Sequence, residues 1–282
     1  MILIGDREYE FIRQLVYEQS RIHLGDNKKE LVTGRLNKRL RALQFESYAE
    51  YCALLKSPAG LEELTDLVNV ISTNFTHFFR EIKHFNFMKE AVLSEFNSKT
   101  AVKKEEEFRV WSAASSTGEE PYSIAIMLTE FFGALNRQKW VVEATDISTR
   151  ALGKAAHGIY ESSHVKLPHP EWLRRYFQHG VNAWQGSYRV KAEVRARVNF
   201  QHLNLLQLRY PFQRKFHVVF CRNVMIYFDR PTQEQLVAKL TEQLIPGGYL
   251  FVGHSESLTG VKHSLKGIKP SIYQKLEMKD EG

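Results

Sequence analysis

The stretch from Phe108 to Phe132, FRVWSAASSTGEEPYSIAIMLTEFF, decides the predicted fold of this 282-residue chain. The apolar run from Phe108 to Ala114 is typical of a buried strand. The polar residues that follow include Gly118, which can adopt backbone angles that other residues avoid. Pro121 suits the first position of a helix, and Tyr122 to Phe132 continue it with apolar helix formers. A strand, a glycine loop and a helix in this order are typical of a nucleotide-binding α/β domain.

Two acidic residues indicate which nucleotide this loop would bind. Glu119 and Glu120 lie at the helix N-terminus, where a phosphate-binding loop presents bare N–H groups to an anion. Their carboxylates would repel a pyrophosphate and attract a cation, and the missing G-x-G-x-x-G pattern argues against NAD. S-adenosylmethionine is the common nucleotide cofactor with no phosphate and two positive groups, so the loop favours it. The alternative is that the two acids only complement the helix dipole.

Further segments complete the predicted α/β domain. Trp140 to Asp146 forms a second strand, whose terminal acid can accept hydrogen bonds from ribose hydroxyls. Residues 160–197 fit no strand–helix unit and predict an antiparallel hairpin of Tyr176–Gln178 and Ser187–Lys191, which is either an edge for a peptide strand or a plain loop. The other elements are helices at Ser148–His157 and Gln233–Leu244, a turn at Pro246–Gly248, and strands at Val198–Asn204, Phe216–Asn223, Tyr249–His254 and Ser271–Leu276, the last antiparallel to residues 265–268.

The first 97 residues are predicted to be helical. One helix carries apolar residues on one side and the basic residues Arg35, Lys38, Arg39 and Arg41 on the other. This basic face is either simply solvated or a docking face for an acidic helix or a nucleic acid, and the net charge of +7 also suggests an acidic partner. Residues 97–107 are highly charged and predict a connector. The predicted helices are Glu8–His23, Lys28–Leu43, Tyr48–Lys56, Leu61–Ser72 and His84–Phe96.

The composition excludes several classes of protein. No apolar run approaches the roughly 20 residues of a membrane span, and the N-terminus lacks the pattern of a signal peptide. The two cysteines are isolated, and the histidines show none of the usual metal-binding spacings. The sequence Gly253-His254-Ser255-Glu256-Ser257 lacks the second glycine of a hydrolase nucleophile elbow. We therefore expect a cytoplasmic protein without a metal ion.

Three motifs together resemble one known family. They are N-x-T-x-F-F-R at 74–80, S-T-G-E-E-P-Y-S at 116–123 and C-R-N-V-M-I-Y-F at 221–228. The chain resembles the chemotaxis receptor methyltransferases, the CheR family, from about residue 10 to 276. The resemblance implies a helical domain at 1–85, a helix and charged linker at 86–107, and at 108–282 a Rossmann-like α/β domain that binds S-adenosylmethionine and carries a β-insert. It also implies methyl transfer to receptor glutamates, which yields methyl esters and S-adenosylhomocysteine.

The resemblance also assigns expected roles to residues of this chain. Asp146 would hold the ribose, while Asn204 and Leu205 would flank the adenine. Arg80 and Tyr227 would be catalytic, with Arg80 orienting the incoming carboxylate, which is ionised at neutral pH and needs no general base. Which of the two adjacent glutamates contacts the cofactor stays open. The expected cofactor-binding residues are Asn74, Thr76, Arg80, Gly118, Glu119, Glu120, Asp146, Asn204, Leu205, Asn223 and Val224.

The implied partners are the cytoplasmic helices of chemoreceptors, which would dock on the basic face and recruit the protein to membrane-bound receptor arrays. A receptor C-terminal peptide could also bind the β-insert. Two alternatives remain at this point. One is a regulator that senses S-adenosylmethionine without turnover. The other is a nucleic-acid methyltransferase, although Asn223 begins N-V-M-I-Y-F instead of the Asn/Asp-Pro-Pro-aromatic motif of enzymes that methylate base amino groups.

Overall fold

A mostly parallel sheet of seven strands lies at the centre of the computed structural model, which describes residues 2–100, 107–133 and 139–276. The strands of the molecule are β1 Phe108–Ser112, β2 Trp140–Asp146, β3 Ile159–Glu161, β4 Phe177–His179, β5 Ser187–Val190, β6 Val198–His202, β7 Phe216–Cys221, β8 Leu244–Val252, β9 Leu265–Lys269 and β10 Ile272–Lys275. The order in the central sheet is β6-β2-β1-β7-β8-β10-β9, and β10 alone is antiparallel to its neighbours β8 and β9 within the described chain. The predicted α/β class is confirmed.

Helices cover this sheet and form the N-terminal segment. Residues Met88–Leu93 are π-helical and connect the helices Ile82–Phe87 and Ser94–Thr100 into one continuous helical segment. The helices are α1 Asp6–Ser20, α2 Lys29–Ala42, α3 Tyr48–Lys56, α4 Gly60–Ile71, α5 Ile82–Phe87, α6 Ser94–Thr100, α7 Glu119–Gly133, α8 Thr149–His157, α9 Glu171–Tyr176, α10 Ala192–Arg195 and α11 Arg230–Gln243. In the part of the chain that the structure describes, we find no helix with the length and apolarity needed to cross a membrane.

The N-terminal helices and the central sheet have separate hydrophobic cores, and the chain passes from one to the other between α4 and α5. Ile12 and Leu36 belong to a core that α1 to α4 form among themselves. Phe78, Phe79 and Phe85 instead pack with residues of the central sheet. The segment after α4 therefore ties the N-terminal helices to the sheet. The division of the chain at residues 85 and 107 stays a prediction, and residues 101–106 of its charged linker lie outside the described part.

The β-insert contains the predicted hairpin and one strand more. β4 and β5 pair antiparallel, as expected, and β3 pairs on the other side of β5 to give the order β3-β5-β4. At three residues, β3 is too short for its own alternation to be recognised in the sequence. Tyr160, in the middle of β3, is buried, and its hydroxyl donates to the carbonyl oxygen of Thr117 at 2.8 Å. The insert is thereby anchored to the glycine loop.

Two of the predicted element boundaries that the structure shifts have a clear physical reason. The helix after the glycine loop begins at Glu119, so Pro121 occupies its third position. A proline fits there because N–H groups of the first turn have no acceptor within a helix. The turn predicted at Pro246–Gly248 lies inside β8, where the register against β7 shifts and Gly247 has a φ of 77°. A glycine accepts this left-handed conformation within an irregular strand.

Candidate active site

A cleft opens at the carboxyl ends of the parallel strands, between them and the N-terminal helices. Its walls include Asp146 and Asn223 from strand ends and Leu31 and Arg35 from α2. The empty volume is about 1210 Å³, a figure that includes the open mouth. In open α/β sheets, ligands bind at this edge. The position is therefore that of a ligand-binding site.

Hydrogen bonds hold the wall that the N-terminal segment contributes. Asn204 Nδ2 donates to the carbonyl oxygen of Gln19 at 3.0 Å. The backbone N–H of His23 donates to the carbonyl oxygen of Tyr227 at 2.8 Å. Both Asn204 and Tyr227 line the cleft, so the wall is attached at residues of the site itself.

Most of the predicted site residues meet in this cleft. Gly118 and Glu119 are not part of its lining. Gly118 has a φ of 99°, and a Cβ there would lie 2.8 Å from the Tyr160 hydroxyl, so the glycine permits close packing against the insert. Glu119 is buried and accepts a hydrogen bond from Thr117 Oγ1 at 2.7 Å. The predicted residues that line the cleft are Asn74, Thr76, Arg80, Glu120, Asp146, Asn204, Leu205, Asn223, Val224 and Tyr227.

Asp146 ends β2 and is 8% exposed. Its Oδ2 accepts from the backbone N–H of Ser116 and its Oδ1 from that of Ser148, both at 2.8 Å. Burial raises the pKa of Asp146, and these hydrogen bonds oppose the rise. An ionised carboxylate has about four acceptor positions. Asp146 is therefore held rigidly and keeps acceptor capacity for hydroxyl groups in the cleft.

A buried arginine connects the two halves of the site, and sequence reasoning missed it. Arg222 is 5% exposed, and its guanidinium lies 3.1 Å from the carboxylates of both Glu81 and Glu120. Its Nη2 also donates to the carbonyl oxygen of Arg80 at 2.5 Å. Burial raises the pKa of Glu120, and the positive charge of Arg222 opposes this. The sequence gave only one indication of this ion pair, which was position. Arg222 lies within the motif at 221–228, and Glu81 directly follows the motif at 74–80.

Several residues around the cleft adopt a left-handed backbone conformation that non-glycine residues avoid. The φ angles are 53° at Phe79, 58° at Glu81, 50° at Ser116 and 58° at Asn223. Each costs on the order of 1 kcal/mol or more and persists only where the surroundings enforce it. For Asn223, the enforcing contact is the hydrogen bond from its N–H to Glu256 Oε2 at 2.6 Å. Strain of this kind is typical of functional sites.

Glu256 organises the loop that follows β7. Its carboxylate accepts backbone N–H groups of Asn223 and Gly253 at 2.6 Å and of Met225 at 2.7 Å. A Cβ on Gly253 would lie 2.7 Å from Glu256 Oε2, so this position requires a glycine. In the sequence, this segment shows only an incomplete hydrolase motif. Its role is to hold the cleft wall that contains Asn223.

The four residues of the predicted basic face divide into two pairs. Arg35 donates to a backbone carbonyl oxygen at the end of α4 at 2.5 Å. Arg39 Nη2 lies 2.5 Å from the buried Glu63 carboxylate. Lys38 and Arg41 are exposed on the same helix. Arg35 and Arg39 thus stabilise the N-terminal segment, and Lys38 and Arg41 are left as the accessible charges of the face.

Comparison with known proteins reveals clear relatives. The family model described as the CheR methyltransferase, SAM binding domain, matches residues 74–273, and that of the CheR methyltransferase, all-alpha domain, matches residues 7–72. The chemotaxis protein methyltransferases of Salmonella typhimurium and Escherichia coli are each 40% identical to this chain. The alignments cover 94% and 92% of this chain, and 90% and 87% of the respective relative. That of Borreliella burgdorferi is 38% identical over 97% of this chain and 96% of its own.

Proposed function

Because this chain belongs to the CheR family of chemotaxis methyltransferases, we propose that it methylates glutamate side chains of membrane chemoreceptors. The methyl donor is S-adenosylmethionine. The proposed products are glutamate methyl esters and S-adenosylhomocysteine. The observation that carries the proposal is which charged side chains line the cleft. Asp146 and Glu120, which suit a cationic nucleoside, share it with Arg80, which suits an incoming carboxylate.

The residues of the cleft fit this cofactor. Asp146 retains acceptor capacity for the two ribose hydroxyls, and Glu120 brings a carboxylate suited to a positively charged ligand. Asn204 and Leu205 are proposed to flank the adenine, with Asn74, Thr76, Asn223 and Val224 as further contacts. When bound, S-adenosylmethionine supplies an electrophilic methyl group on a positively charged sulfur.

Arg80 is proposed to orient the substrate carboxylate. Its Nη1 donates to the carbonyl oxygen of Phe75 at 3.1 Å, which uses one of the five N–H donors of a guanidinium. Bidentate binding of a carboxylate uses two more. A glutamate has a reference pKa of about 4.3 and is ionised at neutral pH, so no general base is required. Tyr227 lines the same cleft and is proposed as a second positioning group.

The receptor is proposed to dock by its cytoplasmic helices on the basic face, which would recruit this enzyme from the cytoplasm to receptor arrays. Lys38 and Arg41 are exposed and supply the charge for an acidic helix. β4 and β3 are the edge strands of the three-stranded insert. A receptor C-terminal peptide could extend this sheet by strand addition.

Methyl transfer from labelled S-adenosylmethionine to chemoreceptor-containing membranes, followed by mild alkali, tests the proposal. We expect label on the receptor band and its release as methanol, because a carboxyl methyl ester hydrolyses in mild base. Membranes without receptors are the control. Cofactor binding without transfer to any member of a receptor panel would favour a non-catalytic sensor. Label on nucleic acid in place of the receptor would overturn the proposal in favour of a nucleic-acid methyltransferase.

A further inference from the structure

Three side chains that can bind metal ions converge behind the cleft. Ligand atoms of Glu81, His84 and His254 all lie within 4.8 Å of one another. Glu81 Oε2 lies 3.4 Å from His84 Nδ1 and 4.0 Å from His254 Nε2. Spacing in the sequence gave no sign of this cluster, because Glu81 and His254 are 173 residues apart.

The hydrogen bonds of His84 determine which of its nitrogens carries the proton. Ser271 Oγ lies 2.8 Å from His84 Nε2, and the Ser271 hydroxyl donates to the carbonyl oxygen of Pro270 at 2.6 Å. A hydroxyl has a single proton to donate. With the Ser271 proton directed to Pro270, His84 Nε2 is the donor to Ser271, and in the neutral ring Nδ1 is then a bare electron pair.

This electron pair is buried and faces a carboxylate. His84 is 1% exposed, and its Nδ1 has no hydrogen-bond partner among the described residues. An imidazole electron pair opposite a carboxylate oxygen is repulsive unless a cation lies between them. A metal ion resolves this conflict, because neutral imidazole and carboxylate are both metal ligands.

The carboxylate of Glu81 can contact the arginine and a cation at the same time. Glu81 and Glu120 each lie 3.1 Å from the guanidinium of Arg222. Arg222 shares Glu81 Oε2 with the cluster, and a carboxylate oxygen can accept from a guanidinium and bind a metal ion through a second lone pair. His254 also faces Glu81, and its side chain is 46% exposed.

We propose that Glu81, His84 and His254 form a binding site for one divalent transition-metal ion of the zinc class. Two imidazoles and a carboxylate form a donor set that Zn²⁺ accepts, with a fourth position left for water. Ligand atoms of tetrahedral zinc are about 3.3 Å apart when each is about 2.0 Å from the metal. The half-exposed His254 side chain can close the remaining distance. Ser271 fixes the ring of His84, as partners of metal-ligating histidines commonly do.

Direct metal binding to the untagged full chain tests the site without reference to methyl transfer. We compare the wild type with His254→Ala, which removes an exposed ligand and retains the backbone N–H of residue 254. The matched control is His169→Ala. His169 is an exposed histidine 3.8 Å from Glu171, and among the described residues this pair has no third metal-binding side chain close to it. Zn²⁺ affinity is measured by competition with a chromophoric chelator, and Co²⁺ reports the coordination geometry by its visible absorption.

We expect one Zn²⁺ per chain, a tetrahedral Co²⁺ spectrum, and an affinity at least about tenfold lower in His254→Ala, with no change in His169→Ala. Thermal unfolding supplies a second readout, since a ligand that binds the folded state raises Tm. Zn²⁺ should therefore raise the Tm of the wild type more than that of His254→Ala. Equal affinity in wild type and His254→Ala, or no Zn²⁺ bound by the wild type, would overturn the proposal.

Discussion

The guanidinium of Arg222 and the carboxylate of Glu120 form an ion pair of 3.1 Å whose side chains are 1% and 11% exposed. Glu120 is also held by Ser112 Oγ at 2.7 Å. Through Nη2, the same arginine supports the carbonyl oxygen of Arg80. One buried cation therefore links the glycine loop, the loop after β7 and the segment that carries Arg80.

Replacing Arg222 by methionine should lower the free energy of unfolding by about 3 kcal/mol, because it leaves buried carboxylates without a counter-charge. Urea denaturation measures the loss. The control is Arg214→Met, since Arg214 is exposed and pairs with Glu107 at 3.2 Å, and its loss should cost about 0.5 kcal/mol or less. Equal effects of the two substitutions would contradict the role assigned to Arg222.

Arg80→Ala should reduce methyl transfer to receptors by about 100-fold or more, because the substrate carboxylate loses its orientation. The free energy of unfolding should stay within about 0.5 kcal/mol of the wild type, since the side-chain hydrogen bond of Arg80 to Phe75 is exposed. Steady-state kinetics and urea denaturation measure the two effects. Arg80→Lys keeps the positive charge but loses the paired N–H donors of the guanidinium, so its rate of methyl transfer should lie between those of the wild type and Arg80→Ala. Near-normal turnover of Arg80→Ala would remove this residue from the mechanism.

The contact between Tyr17 and Asp229 should make stability depend on pH. Hydrogen bonds from Thr232 and from the Tyr17 hydroxyl, the latter at 2.6 Å, hold the pKa of Asp229 below its usual value. A lowered carboxyl pKa contributes stability above the unfolded value of about 3.9, and that contribution is lost as pH falls through the folded pKa. Tyr17→Phe should cost about 1 kcal/mol at pH 7.

The difference in free energy of unfolding between the wild type and Tyr17→Phe should therefore become smaller below about pH 4. Urea denaturation at a series of pH values measures it. Tyr9→Phe is the control on the same helix, because the Tyr9 hydroxyl donates to the carbonyl oxygen of Gly25 at 2.7 Å. A carbonyl does not titrate, so the cost of this substitution should be constant over the same range. A constant cost for Tyr17→Phe as well would disprove the coupling to Asp229.

Charge reversal at both Lys38 and Arg41 should raise KM for receptor membranes by about tenfold at low salt, and by less at high salt, because screening weakens charge pairing. The Kd for S-adenosylmethionine should not change. The control reverses Lys262 and Lys266, two exposed lysines at and beside β9, at the far edge of the sheet. If the two double variants have the same KM, net charge rather than the basic face governs receptor binding.

The sequence alone was sufficient to predict the sheet and to place Asp146 and Asn223 at the edge where its parallel strands end. Asp146 and Asn223 each follow an apolar run that is typical of a buried parallel strand, and the carboxyl ends of such strands meet at one edge. Both residues accordingly line the cleft. The information is local, since each apolar run by itself indicates a buried strand.

Tertiary structure alone decided which side chains meet. Glu119 and Glu120 are neighbours on α7, but successive residues of a helix point about 100° apart, so the packing of α7 on the sheet turns one toward Thr117 and the other toward the cleft. The pairing of Arg222 with Glu81 likewise joins residues 141 positions apart. Such contacts depend on how complete elements pack, and no local pattern encodes the partner of a buried charge.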